Sequence, residues 1–392
     1  MLTGIRVVDL TSMLSGPYCT WLLATMGADV IKVESPNGGD IARDTPPFKD
    51  GRCLYFDSIN RNKRSVTLDL KTDDGRTALH RLLETADVFV ENMRPGVRNR
   101  LGCSDADLDR INPRLIKASI SGFGQNGSLS ERPAFDIVVQ AMSGLMSVNG
   151  PLGGPPTRVG VSVGDLSAAL FATIGILQRL YARDVSGAAP GPALDVSMLA
   201  CQWALMENAF ARNLNTGQVP QPNGSRHPSI TPFETYSAAD GDFVIALGSG
   251  RDWPRFCRAI GRADLETDPL YAKDEVRLLN RDLLDEELHA LFRTNPRQYW
   301  VDLLAQAGVP VSSVNTLADA AVHAAMDETG SVSEITLEGG ATQRFVRNPL
   351  GCEVPEEPAP ALGQHTAELL RELGYDDQTI LRLGGETGST QT

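Results

Sequence analysis

Residues 4–34 read GIRVVDLTSMLSGPYCTWLLATMGADVIKVE, and the fold assignment turns on them. Ile5–Leu10 is a short apolar run rich in β-branched residues, as expected of a strand buried on both faces. The next stretch, SGPYCTWLLATMG, has helical length, a proline in its first turn and Gly27 where a helix would stop. ADVIKVE returns to strand character and closes on Glu34. Strand, helix and strand in so few residues make a βαβ crossover, whose two strands pair in parallel.

The alternation continues outward through SVTLDL, the helical GRTALHRLLETA, DVFVEN, a short helix opening at Ser104, and LIKASIS. This predicts an α/β fold with a Rossmann-like parallel sheet, its ligand crevice at the carboxyl ends of the strands. Further on come AFDIVVQAMSGLM, a Gly/Pro loop GPLGGPPTRVGVSVGD, and a long helix. In that helix Leu166, Ala169, Leu170, Thr173, Leu177, Leu180 and Tyr181 recur at steps of three and four, predicting one apolar stripe facing the core. SGAAPGPALDVSM reads as a turn and a strand. The polar, Pro/Gly-rich QVPQPNGSRHP reads as the way into a second domain.

The expected organisation is a large domain over 1–200, completed by 330–392, and a smaller α/β domain over 225–325, with linkers at 200–225 and 325–350. In the smaller domain DFVIALG reads as a strand, and helices are expected near Trp253–Gly261, Arg277–Phe292 and Pro296–Gly308, the last capped by Asn295. GQHTAELLRELGY reads as an amphipathic terminal helix.

With 392 residues, 42% of them hydrophobic and 22% charged, the chain has an ordinary globular composition. Its net charge of −13 argues against nonspecific binding to nucleic acid or anionic membrane. Residues 61–100 are the exception, at +3 against −16 for the rest, a local concentration of positive charge where a small anion could be held. Six scattered cysteines without a C-x-x-C pair suggest neither zinc nor a disulfide framework. The opening MLTGIRVVDL lacks the parts of a signal peptide, so a cytoplasmic, reduced protein is the expectation.

Glu34 stands where a ribose-binding acid would, but the loop before it, Thr11 to Pro17, lacks G-x-G-x-x-G, and Met13 and Leu14 would obstruct a pyrophosphate. P-loop, H-E-x-x-H and G-x-S-x-G signatures are absent too. The acid that stands out is Asp165, in VGDLS, at the first turn of the long helix. An aspartate there is ordinarily an N-cap. The same position would let helix-end N–H groups hold it ionised as a covalent nucleophile, with Gly164 leaving room for a substrate carbonyl.

Six stretches follow one another in a telling order: residues 4–34, YFDSINRNKRSVTLDLK, DVFVENMRPGVRNRLG, RPAFDIVVQAMSGLMSVNG, VGDLSAALFATIGIL and LGQHTAELLRELGY. On these the chain resembles the class III CoA-transferases, the family of formyl-CoA transferase and carnitine CoA-transferase, with α-methylacyl-CoA racemase as a cousin. The resemblance implies an interlocked, ring-like homodimer and an acyl-CoA:carboxylate CoA-transferase. Its substrates would be a CoA thioester and a small carboxylic acid, expected to be a short dicarboxylate such as succinate because a cation at Arg226 or His227 would suit one, with no permanently bound cofactor, no metal, no nucleic acid and no membrane. It further implies that Asp165 attacks the thioester to form an acyl-aspartyl anhydride.

For coenzyme A the resemblance points to Leu68, Lys71, Asn92, Arg94, Arg100 and Arg132, in keeping with the basic island. Two family contacts are not carried over, because Leu14 replaces a glutamine and Ser35 an arginine. The racemase's histidine is replaced by Phe135, which cannot transfer a proton. Asp136 beside it is expected to cap or tie its own loop. The glycine-rich lid of formyl-CoA transferase is missing, its place taken by NGSRHPSITPF, so a formyl or oxalyl substrate is not favoured. Met13, Leu14, Phe135, Gly164, Arg226 and His227 are the expected acyl and acceptor pocket. The alternatives are a 2-methylacyl-CoA racemase and a non-catalytic acyl-CoA-binding paralogue.

Overall fold

The computed structural model describes residues 2–323, 326, 328–337, 339–350 and 354–384. The chain divides into two compact units. The first comprises the described residues within Met1–Leu145, Arg158–Gln218 and Asp327–Thr392. It is built on six parallel strands: β1 (Arg6–Leu10), β2 (Asp29–Glu34), β3 (Lys63–Thr67), β4 (Val88–Glu91), β5 (Ile116–Ser121) and β6 (Leu194–Ser197). Their order is β3-β2-β1-β4-β5-β6, so the chain reverses its direction of travel between β1 and β4. In an open parallel sheet such a reversal leaves a crevice beyond the strand ends, because the two adjoining loops leave toward opposite faces.

One face carries α1 (Ser15–Thr25) and the long helix α2 (Val163–Ser186), over a core of Val7, Leu23, Val90, Ala118, Ala169 and Ile176. The stripe of α2 differs from the expectation. Its buried side is Ala168, Ala169, Ala172, Thr173, Ile176 and Leu180, while Leu170 and Tyr181 are exposed. The sequence pattern marked the bulky residues, but small ones face the core because α1 packs against this helix. The other face carries the helix Asp73–Glu84, the capping-box helix Asp105–Ile111 begun by Ser104, the helix Thr366–Glu372, which buries Leu369 and Leu370 there, and a further helix after it, Asp377–Gly384, which adds Ile380.

Residues 200–225, expected as a linker, instead hold most of the helix Met198–Leu205 and all of Glu207–Thr216. Within 325–350, Val332–Thr336 and Thr342–Val346 pair as an antiparallel hairpin. Buried Arg61 ties it down, donating to the Val346 carbonyl at 2.9 Å and to Ser333 Oγ at 3.0 Å. Cys352 lies outside the described residues, and the other five cysteines are free and buried.

The second unit comprises Met146–Thr157 and Val219–Met326. Its three antiparallel strands, Phe233–Ser237, Asp242–Ala246 and Val311–Ser313, pack on helices through Tyr236, Phe243, Trp253, Phe256, Phe292 and Trp300. The helix expected over Arg277–Phe292 is two, Asp274–Leu279 and Arg281–Phe292. Asn295 does not cap the next helix. Pro296 occupies the cap position, and Asp240 Oδ1 accepts the Arg297 N–H at 2.6 Å from across the unit.

Candidate active site

At the reversal point the loop after β1 is held in place from below. Asp9, fully buried, accepts the Thr11 N–H at 3.0 Å and the Thr20 hydroxyl at 2.7 Å. Burial alone would raise its carboxyl, but the charges of Lys63 and Lys32 hold it far below the usual range. Lys63 reaches Asp9 at 3.0 Å, the Pro17 carbonyl at 2.9 Å and Asn60 Oδ1 at 2.8 Å. Lys32 donates to the Thr11 carbonyl at 2.9 Å and pairs with Asp40 at 2.8 Å. The N-x-N-K-R-S motif is therefore structural: Asn60 and Lys63 anchor the loop from beneath.

The loop's upper side is fixed by Asn92, at the end of β4. It accepts the Ser12 N–H at 2.9 Å and donates to the Ser12 carbonyl at 2.8 Å. Met13 sits in the left-handed region at φ 65°, its N–H bonded to Asp40 Oδ1 at 3.1 Å. Gly16 is required where it stands, since a Cβ there would meet Thr11 Cβ at 2.4 Å.

Above this loop lies a cleft of about 590 Å³ whose walls include Ser12, Met13, Leu14, Ser15, Tyr55, Asn92, Arg94, Arg132, Phe135, Asp136, Arg158 and Asp165. Asp165 is pushed up to about 6, first by burial and then by the charge of Asp136, with the Ser15 hydroxyl acting in the opposite direction. Burial and a like charge thus raise Asp165 well above the ordinary carboxylate range, while a value near 6 still leaves it mostly ionised at neutral pH. Gly164 does not leave space for a substrate carbonyl along its Cβ direction. A Cβ there would lie 2.3 Å from Gln202 Nε2 and 2.9 Å from Asp136 Oδ1. Asp136 does not tie its own loop alone. Its Oδ1 accepts the Gly164 N–H at 2.8 Å and its Oδ2 accepts Gln140 Nε2 at 2.7 Å.

A second hollow of about 340 Å³ lies over the ends of β1 to β4 and shares Ser12, Asn92 and Met93 with the first. Leu68 and Lys71 line it. The Leu68 side chain is in the core, so only its backbone faces a ligand. Glu34 is not available to a ribose, since Arg43 holds both its oxygens at 2.7 Å. Arg94 and Arg132 line the first cleft, whereas Arg100, exposed on the short helix Val97–Arg100, lines neither. Much of the basic island is internally paired: Lys63 with Asp9, Arg64 with Asp29 and Glu372, Arg98 with Asp105.

Arg226 and His227 belong to the second unit. Arg226 is consumed there by Asp282 at 2.9 Å, Asp285 at 2.6 Å and Glu234 at 3.4 Å, so it is not a spare cation for a substrate. The His227 ring rests on Phe233 and accepts the Ser229 N–H. Phe135 projects exposed into the first cleft, where it can only shape the space.

Three residues of the cleft were not singled out in the sequence, Ser15, Tyr55 and Arg158, and neither was the anchoring role of Asp136. Tyr55 is pushed up to about 12, by burial first and by the charge of Asp165 next, so its phenol stays a proton donor at neutral pH. Its place inside YFDSINRNKRS was the one signal available.

The model of CoA-transferase family III matches residues 2–366. The acetyl-CoA:oxalate CoA-transferase of Acetobacter aceti is 40% identical over 94% of this chain and 95% of its own length. The succinyl-CoA:mesaconate CoA-transferase of Haloarcula hispanica is 38% identical over 96% of this chain and 98% of its own. A crystal structure of a CAIB/BAIF family protein from Brucella suis superposes with a TM-score of 0.83 at 32% identity, covering 95% of this chain and 99% of that one.

Proposed function

The chain belongs to CoA-transferase family III and is a CoA-transferase, and we propose that it moves CoA between an acyl-CoA and a short dicarboxylic acid through covalent catalysis by Asp165. The observation that carries this reading is a half-buried carboxylate, raised to about 6, in a cleft joined through Asn92 and Ser12 to a hollow over the strand ends. Raised only to about 6, Asp165 is still mostly ionised at neutral pH, and partial desolvation makes that carboxylate more nucleophilic than a solvated one.

Asp165 attacks the thioester carbonyl; the C–S bond breaks, leaving an acyl-aspartyl anhydride and CoA thiolate. The thiolate returns to the aspartyl carbonyl and releases the donor acid. The acceptor carboxylate then attacks this aspartyl-CoA thioester, and the freed thiolate takes up the new acyl group, restoring Asp165. One thioester is exchanged for another, so no external energy source is needed. Tyr55 and the Ser15 hydroxyl are the donors beside the reacting oxygens. CoA's phosphates would be met by Arg94, Arg132 and Lys71, with Asn92 shaping the loop rather than gripping the ligand. Phe135 supports transfer over the racemase reading, since it offers no proton.

The relatives named for oxalate and mesaconate support a dicarboxylate, and they return oxalate to the acceptors worth testing. A homodimer, interlocked as in the family, is supported by exposed Leu170, Ile174 and Tyr181 on α2 and Leu214 beyond it. Five free buried cysteines among the described residues are in keeping with a cytoplasmic setting. The test is to incubate the protein with succinyl-CoA or acetyl-CoA and a panel of mono- and dicarboxylic acids, following new thioesters by mass spectrometry. A new thioester that vanishes in Asp165→Asn is expected; transfer that survives in this variant refutes the mechanism.

A further inference from the structure

We infer that Arg158 is the subsite for the second carboxylate of the substrate, the group that distinguishes a dicarboxylate from a monocarboxylate; this rests on the transferase reading of the cleft. Three arginines line that cleft: Arg94, Arg132 and Arg158. Arg94 follows Asn92 and Met93, which face the second hollow as well, and so stands on the side where CoA's phosphates would lie. Arg132 leans over the Phe123 ring at 5.9 Å and toward the Met142 sulfur at 3.9 Å.

Arg158 is placed differently. Its nearest acid is Asp136, at 3.7 Å, outside hydrogen-bond distance. Both Asp136 oxygens are already engaged, one by the Gly164 N–H and one by Gln140. No N–H of Arg158 has a hydrogen-bond partner among the described residues, and its side chain is 45% exposed. The cation is therefore held at the cleft by charge alone, with its planar fork of donors open. Asp136 is also the group that anchors the residue next to Asp165 and raises Asp165 electrostatically. A cation fixed on that carboxylate is thereby fixed near the reacting centre.

An acid bound for reaction places one carboxylate against Asp165. A second carboxylate in the same cleft would meet the negative charge of Asp136, and in the donor step that of Asp165 as well, unless a cation received it. A free guanidinium fork is the group suited to bind it in bidentate fashion. Donor acyl group and acceptor occupy the acyl side in turn, so the same arginine reads the free carboxylate of succinyl-CoA.

The test uses the full chain as wild type, Arg158→Gln and Arg158→Lys. Acceptors are glutarate and valerate, which differ by one carboxylate; donors are succinyl-CoA and butyryl-CoA, which differ in the same way. In Arg158→Gln, KM for glutarate and for succinyl-CoA is expected to rise about ten- to hundredfold, with kcat changed far less and KM for valerate and butyryl-CoA unmoved. Arg158→Lys, which keeps charge but loses the fork, should fall between. An equal rise for both members of each pair, or an unchanged ratio, overturns the subsite. If Arg158→Gln does not fold, the ratio in Arg158→Lys decides in the same way. Wild type that transfers CoA to no acid refutes the function proposed above, and the subsite with it. Wild type that uses monocarboxylates equally well refutes the subsite alone.

Discussion

Asp136 Oδ1 accepts the backbone N–H of Gly164 at 2.8 Å, so the residue preceding Asp165 is held by the same carboxylate whose charge raises Asp165. One side chain thus fixes the backbone beside Asp165 and adds its charge to the effect of burial on the Asp165 carboxyl.

Asp165 must be ionised to attack, and in the folded chain it loses its proton near 6 rather than near 3.8. For a single ionisation, kcat/KM for the donor should fall about tenfold per pH unit below that point. In Asp136→Asn the like charge is gone, so the acid limb should move to lower pH. A pH profile with the same limb in both proteins would refute the electrostatic link.

The same shift has a stability consequence. A carboxyl raised on folding is tolerated while protonated and costs stability as pH rises through its folded value. Asp165→Asn should therefore be more stable than wild type at pH 8, by about 1 kcal/mol after solvent screening, with the gap closing toward pH 4. Thermal melts across that range measure it.

Asn92→Ala should act on rate more than on folding. It removes both bonds to Ser12 and a weaker one to Ser15 Oγ at 3.4 Å, the hydroxyl that opposes the rise of Asp165. A loosened loop should lower kcat about ten- to hundredfold, with a stability loss of about 1–2 kcal/mol. Unchanged turnover would show that the loop holds its shape without Asn92.

Lys63→Met should be severe. It takes from fully buried Asp9 its ion-pair partner at 3.0 Å, leaving only hydroxyl and backbone donors and the more distant charge of Lys32, and it removes one of two donors from the Pro17 carbonyl. Removing one partner of such a pair typically costs about 3–5 kcal/mol. Gly164→Ala should cost less, about 1–3 kcal/mol, as Gln202 shifts to admit the methyl. Denaturant titrations rank the two, and a reversed ranking would contradict the buried network.

The parallel sheet was legible because its strands are short β-branched runs separated by helical periods, and periodicity is a local property. VFVE and IKASIS became strands where their composition placed them. Asp165 was legible too, since its motif carries its position at the head of a long helix. The second unit's helix ends were less so, because Asp240 caps Arg297 from 57 residues away and no local signal announces it.

What the sequence determined by itself was the order of the strands and helices of the parallel sheet, the place of Asp165 at the head of the long helix and the absence of a proton-transferring residue at Phe135. What only the tertiary structure decided was which side chains remain free to meet a ligand. Arg226 looked available in the sequence and is spent on three carboxylates, Glu34 is closed by Arg43, and Arg158, silent in the sequence, keeps an open fork beside Asp136. Charge and residue type are written locally. Whether a charge is already satisfied depends on partners brought from distant positions, and that is settled only by folding.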